Sequence, residues 1–134
     1  MSVRKVPAPK RRASAKSAAR PEFRFRARIT WGETIAIGPG KIALLEAIDR
    51  TGSITAAAQS LDMSYRRAWM LLDEVNRSMR ELAVDTAKGG EHGGGSTLTS
   101  TGRQLIEVYR RIETRAETAC VRDIKVLVGL LARH

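Results

Sequence analysis

The sequence has 134 residues, enough for one domain with a hydrophobic core and too few for a large catalytic domain joined to a regulatory one. Its formal net charge of +10 is uneven: residues 1 to 21 hold seven Lys and Arg and no acid, leaving 17 basic against 14 acidic residues elsewhere. A single cysteine, Cys120, excludes a disulfide framework and a sulfur-held zinc site, and no run of about 18 apolar residues supports a membrane span.

Residues 1 to 21, built from Pro, Ala, Ser, Lys and Arg, bury too little surface to offset chain entropy and are expected to be a disordered basic arm. Such an arm suits a polyanion, because each neutralised phosphate releases condensed counterions. The composition equally allows a solubilising tail. Without the apolar centre of a secretory signal, the chain reads as cytoplasmic.

The folded domain is expected over residues 22 to 134. Phe23, Phe25, Ala27, Ile29 and Trp31 alternate with Arg24, Arg26, Arg28 and Thr30, a period of two that predicts a strand. Its three arginines either keep an edge strand soluble or touch an anion. Pro39 then opens a first helix, about 39 to 51, with Ile42, Leu45 and Ile48 at three-residue steps and Gly52 as its stop. Ser53 and Thr55 compete to cap a brief Ala-rich second helix ending near Leu61. Ser64 caps a third, about 64 to 80, with Ala68, Leu72, Val75 and Met79 as its core stripe.

The second and third helices make a helix-turn-helix, and Tyr65, Arg66 and Arg67 fall in the first turn of the latter. Cations there oppose the helix macrodipole, so helix stability alone does not select them, whereas an external anion would. In helix-turn-helix proteins that turn enters the DNA major groove, where Arg bonds guanine and Tyr reaches phosphate or a thymine methyl.

The segment "AKGGEHGGGST" follows, with five glycines in seven positions. It fails as a Walker loop because Gly95 stands where the lysine belongs, and it contains no G-x-G-x-x-G. A linker is excluded too, since what lies beyond cannot form a core alone, so a hairpin tip between weak strands remains. Thr101 and Gln104 read as a capping box for a last helix of about 101 to 132, whose stripe includes Leu105, Tyr109, Ile112, Ala116, Leu127 and Leu131. Thirty helical residues span about 45 Å, more than a domain this size is wide, so a partner must cover the excess. Asp73 with Arg77 and Glu107 with Arg111 read as helix-face pairs, and Cys120 as a buried small hydrophobe. His92 among glycines and the terminal His134 give no rigid acid, base or metal site, so no enzyme, metal or cofactor is expected.

The expected fold is mainly α with a small β-hairpin wing: a winged helix-turn-helix with a long C-terminal dimerisation helix. The run "GSITAAAQSLDMSYRRAWMLLDEVN" followed by "GGEHGGGSTLTSTGRQLIEVY" resembles the DNA-binding domain of the molybdate-dependent transcriptional regulator (ModE) family, itself similar to LysR-type winged helices. The shared features are G-S-I-[ST], S-Y-[KR]-x-A-W from Ser64 to Trp69, the glycine-rich wing and L-T-x-x-G from Leu98 to Gly102. The resemblance implies a homodimer joined through the last helix, with two recognition helices in successive major grooves and wings reaching toward the backbone.

The residues it sets toward double-stranded DNA are Ser53, Thr55, Ser64, Tyr65, Arg66, Arg67, Lys88, Gly89, Gly90, His92, Gly93 and Gly94. Trp69 is read as packing on the domain, with DNA contact the alternative. Glu91 is out of place on a DNA-facing loop. Because molybdate sensing in the family uses further C-terminal domains and this sequence ends at His134, a regulator without its effector domain is expected, with no molybdate site. The alternatives are an architectural DNA-binding protein of low sequence specificity and a winged helix that contacts protein instead of DNA.

Overall fold

The computed structural model describes residues 19–86 and 95–132. Contacts gather Phe25–Ala119 into one compact unit, and the described flanking residues, 19–24 and 120–132, into a second. Among the described residues no helix is long and apolar enough to cross a membrane.

The first unit is mainly helical with a small hairpin between its last two helices, as the sequence implied, but its entry forms a second hairpin that was not expected. Residues 21–28 form no regular structure. The strand β1 is only Ile29–Trp31, and it pairs antiparallel with β2, Thr34–Ile37, across the two-residue loop Gly32-Glu33. The partner sets the length: β2 is four residues long and its register ends at Ile29, so the alternation from Phe23 to Ala27 has no ladder to join. Gly32, with φ of 64°, takes the first loop position that favours glycine in a tight hairpin.

Helix α1, Pro39–Thr51, is the centre of the core, with Ile42, Leu44, Leu45, Ala47 and Ile48 all buried. Gly52 ends it, donating its N–H to the Ile48 carbonyl at 2.7 Å. Helix α2, Ile54–Ser60, is capped by Ser53, whose Oγ accepts from the Ala56 N–H at 2.9 Å, which settles the competition with Thr55. Helix α3, Tyr65–Ser78, lays Ala68, Leu71, Leu72 and Val75 onto α1 and α2. Two buried or half-buried polar anchors fix the frame. Lys41 is buried at the start of α1 and donates to the Ile35 carbonyl while its ammonium pairs with Glu74 of α3 at 2.9 Å. Arg110 reaches back to Glu46 of α1 at 2.6 Å and to Glu113 at 2.7 Å.

The strands β3, Val84–Thr86, and β4, Ser96–Leu98, form the antiparallel stem of the second hairpin, with Val84 opposite Leu98. Helix α4, Ser100–Ala119, is then capped two residues earlier than the expected capping box. Thr99 is the cap: its Oγ1 accepts from the Gly102 N–H at 3.1 Å and donates to the Leu82 carbonyl at 2.6 Å. Thr101 instead donates to Glu81 at 3.2 Å. The expected Asp73–Arg77 pair forms at 2.6 Å, whereas Arg111 has no ion pair among the described residues.

The second unit holds α5, Val121–Gly129. A single helix from 101 to 132 was expected, but Cys120 leaves helical backbone (φ −105°, ψ 13°) and separates α4 from α5. Asp123 then lies in the first turn of α5, where the macrodipole favours an acid. Cys120 is exposed, not buried, as are the residues on either side of it.

Candidate nucleic-acid interface

The turn between α2 and α3 sets the geometry of the candidate surface. The Met63 N–H donates to the Ala58 carbonyl at 3.0 Å and the Asp62 N–H to the Gln59 carbonyl at 3.1 Å, with Asp62 at φ of 56°. This is a Schellman termination with a non-glycine residue in the left-handed position. It stops α2 in one residue and redirects the chain. Ser64, extended at φ −70° and ψ 154°, starts α3 by accepting from the Arg67 N–H at 3.0 Å.

From that cap, Tyr65, Arg66 and Arg67 emerge exposed, and no acid occupies the first turn. Among the described residues Arg66 and Arg67 form no ion pair, unlike Arg77, Arg103 and Arg110, which are held by carboxylates. Their charge is therefore available to an external anion, beside the positive end of a helix. Trp69, expected to pack on the domain, is 38% exposed and meets Tyr65 edge to face, ring centroids 6.2 Å apart at 77°. Tyr65, Trp69 and Met70 add an apolar strip to the cationic turn.

The other expected residues divide. Ser53 and Ser64 each commit one hydroxyl lone pair to a cap, keeping an O–H and a second lone pair, and Thr55 is exposed on the first turn of α2. Lys88, Gly89, Gly90, His92, Gly93 and Gly94 lie outside the described residues. What positions their stem is Asn76 of α3, which sequence reasoning missed. Its Oδ1 accepts from the Ala83 and Val84 N–H groups at 2.8 and 3.3 Å, and its Nδ2 donates to the Val84 carbonyl at 3.3 Å. A side-chain amide thus substitutes for a neighbouring strand at the root of the hairpin. On the other strand the Ser96 N–H donates to the Gly52 carbonyl at 3.0 Å, tying the hairpin to the end of α1.

Of the residues expected at a partner interface, Leu105 and Ala116 are half-buried and Ile112 is exposed on α4. Leu105 and Ile112, with Val108, line an apolar groove completed by Ile29, Ile37 and Met79. Tyr109 is buried instead: its hydroxyl donates to the Ala27 carbonyl at 2.8 Å, and burial raises its phenol above the ordinary value. Leu127 of α5 is exposed together with Val126 and Val128, as are Leu130 and Leu131 just past the helix end. Among the described residues, no three of His, Cys, Asp or Glu gather to hold a metal ion.

No family model matches the chain. It is 39% identical over 98 residues, 72% of its own length, to the molybdenum transport protein ModE of Azotobacter vinelandii, covering 36% of that protein. It is 44% identical over 77 residues to the molybdenum-pterin-binding protein MopB of Rhodobacter capsulatus, spanning 58% of this chain and 28% of that one. Against the DNA-binding transcriptional dual regulator ModE of Escherichia coli (strain K12) the identity is 39% over 71 residues, 53% of this chain and 27% of the regulator. The chain spans about a third of the length of the curated relatives it matches. These alignments support a relationship to the ModE proteins, and the three relatives are named for regulation, transport or binding and not for catalysis.

Proposed function

We propose that this chain is a DNA-binding transcriptional regulator of the ModE type, which reads a palindromic duplex site as a homodimer through the first turn of α3. The observation that carries the reading is the exposed, acid-free turn Tyr65-Arg66-Arg67, capped by Ser64 and left without carboxylate partners among the described residues. Arg side chains so placed suit bidentate bonds to guanine, and Tyr65 with Trp69 suits a thymine methyl or the sugar edge. The names of the relatives add DNA binding and transcription; molybdate sensing is not part of the proposal. Two such turns are brought to successive half-sites by pairing of the apolar groove along α4, or of the exposed apolar residues between Val126 and Leu131, with a second copy.

Selection of duplexes from a random pool by the full chain tests this reading. A recurring palindromic site whose preference falls about tenfold or more in Arg66→Ala or Arg67→Ala supports it, at about 1–3 kcal/mol per base-reading side chain. Failure to enrich any sequence would leave the second reading, an architectural protein. That reading draws on a +10 charge concentrated in the first 21 residues, and predicts a steep salt dependence with little sequence preference.

A further inference from the structure

Arg26 and Arg28 carry two readings in the sequence, keeping an edge soluble or touching an anion, and the structure takes both out of any strand. Both are exposed, and with Arg67 of the recognition turn they line one cleft, bounded by Gly38 and Lys41 at the start of α1. The stem of Arg28 lies along that start: a Cβ added to Gly38 would stand 3.4 Å from its Cγ. Two carboxylates share the cleft. Glu74 is taken by the Lys41 ammonium at 2.9 Å, and Glu33 lies on the β1–β2 turn without an ion pair among the described residues. Arg26, Arg28 and Arg67 likewise form no ion pair among the described residues, and neither α1 nor α3 has an acid in its first turn.

Three like charges on one cleft repel each other and gain nothing from the helix ends beside them; a polyanion relieves both costs. Because Arg67 belongs to both surfaces, the cleft is continuous with the turn assigned to base reading. We propose that Arg26 and Arg28, adjoining Arg67, extend the interface along the sugar-phosphate backbone of the duplex, flanking the base pairs read by α3. The proposal rests on the DNA-binding reading above. Phosphate contacts fix register and add affinity without sequence preference, and each contributes about 0.9 to the slope of log affinity against log salt.

The test uses the full chain and two labelled probes, a duplex it enriches from a random pool and a random duplex of equal length, titrated over a range of salt. Arg26→Ala/Arg28→Ala is expected to flatten the slope by nearly 2 per protomer and to weaken both probes by the same factor. Arg26→Gln/Arg28→Gln, which keeps the stems, is expected to do the same, and Arg26→Lys/Arg28→Lys to retain the slope. An unchanged slope in the Ala and Gln variants, with discrimination between probes intact, overturns the extension and leaves base reading by α3 standing. Loss confined to the enriched probe also overturns it, by assigning the two arginines to base reading. Absence of binding to either probe by the unaltered chain defeats the DNA reading itself, and this proposal with it.

Discussion

Single residues set the geometry that the interface depends on, and two of them allow almost no substitution. At Gly102 a Cβ would fall within the Ala83 carbonyl, so the close approach of α4 to the hairpin root requires glycine. Gly102→Ala must push the helix away and is expected to lower stability by about 2 kcal/mol or more, read from a urea unfolding curve. Asn76→Leu keeps the volume but strands two N–H groups and a carbonyl of residues 83 and 84, an expected loss of about 2 kcal/mol. Asp62 is the complementary case. Its left-handed backbone tolerates Asp but not a β-branched side chain, so Asp62→Val is expected to cost about 1–2 kcal/mol and to blur the angle at which α3 leaves the turn.

Between elements, the clearest coupling joins α4 to α1. Hydrogen bonds from Arg110 hold the Glu46 carboxyl below its ordinary range despite partial burial, and the same pairing holds the guanidinium above its own. A carboxyl lowered in the folded state stabilises the fold fully above its unfolded pKa, near 4.3, and that stability is lost as pH falls through the folded value. The urea midpoint is therefore expected to fall on going from pH 7 to pH 3, and Glu46→Gln to flatten that fall while lowering stability at pH 7. Much of this level was legible in the sequence. Capping by Ser53 and Ser64, the core stripe of α3 and the stop at Gly52 are local patterns that near neighbours decide. Elements decided by distant partners were not. The alternation from Phe23 to Trp31 looks like a long strand until the short β2 limits it, and the signal for β2, Gly32 followed by Thr34 to Ile37, was present but brief. Trp69 sits on the flank of the inward face, next to Ala68 and three residues before Leu72, so it stays 38% exposed. Asn76 gave no local sign, since its partners lie seven and eight positions away.

At the scale of the molecule, the proposed homodimer draws on the exposed apolar side chains of α4 and of residues 126–131. Ile112 is 45% exposed in the apolar groove, and Leu127 and Leu131 are more exposed still. If the groove is the contact between copies, sedimentation at micromolar concentration should give a dimer, and Ile112→Glu a monomer with an unchanged circular dichroism spectrum. Retention of the dimer in that variant would move the contact to α5, with Leu127→Glu as the matching test. The central claim is narrower: that the turn Tyr65-Arg66-Arg67 reads bases. The most direct measurement is a competition titration of the full chain at physiological salt between its enriched duplex and a scrambled duplex of the same composition, repeated with Arg66→Ala/Arg67→Ala. The account predicts a preference of about a thousandfold or more that falls by at least tenfold in the variant, while affinity for the scrambled duplex falls less. Equal affinity for both duplexes in the unaltered chain would contradict it.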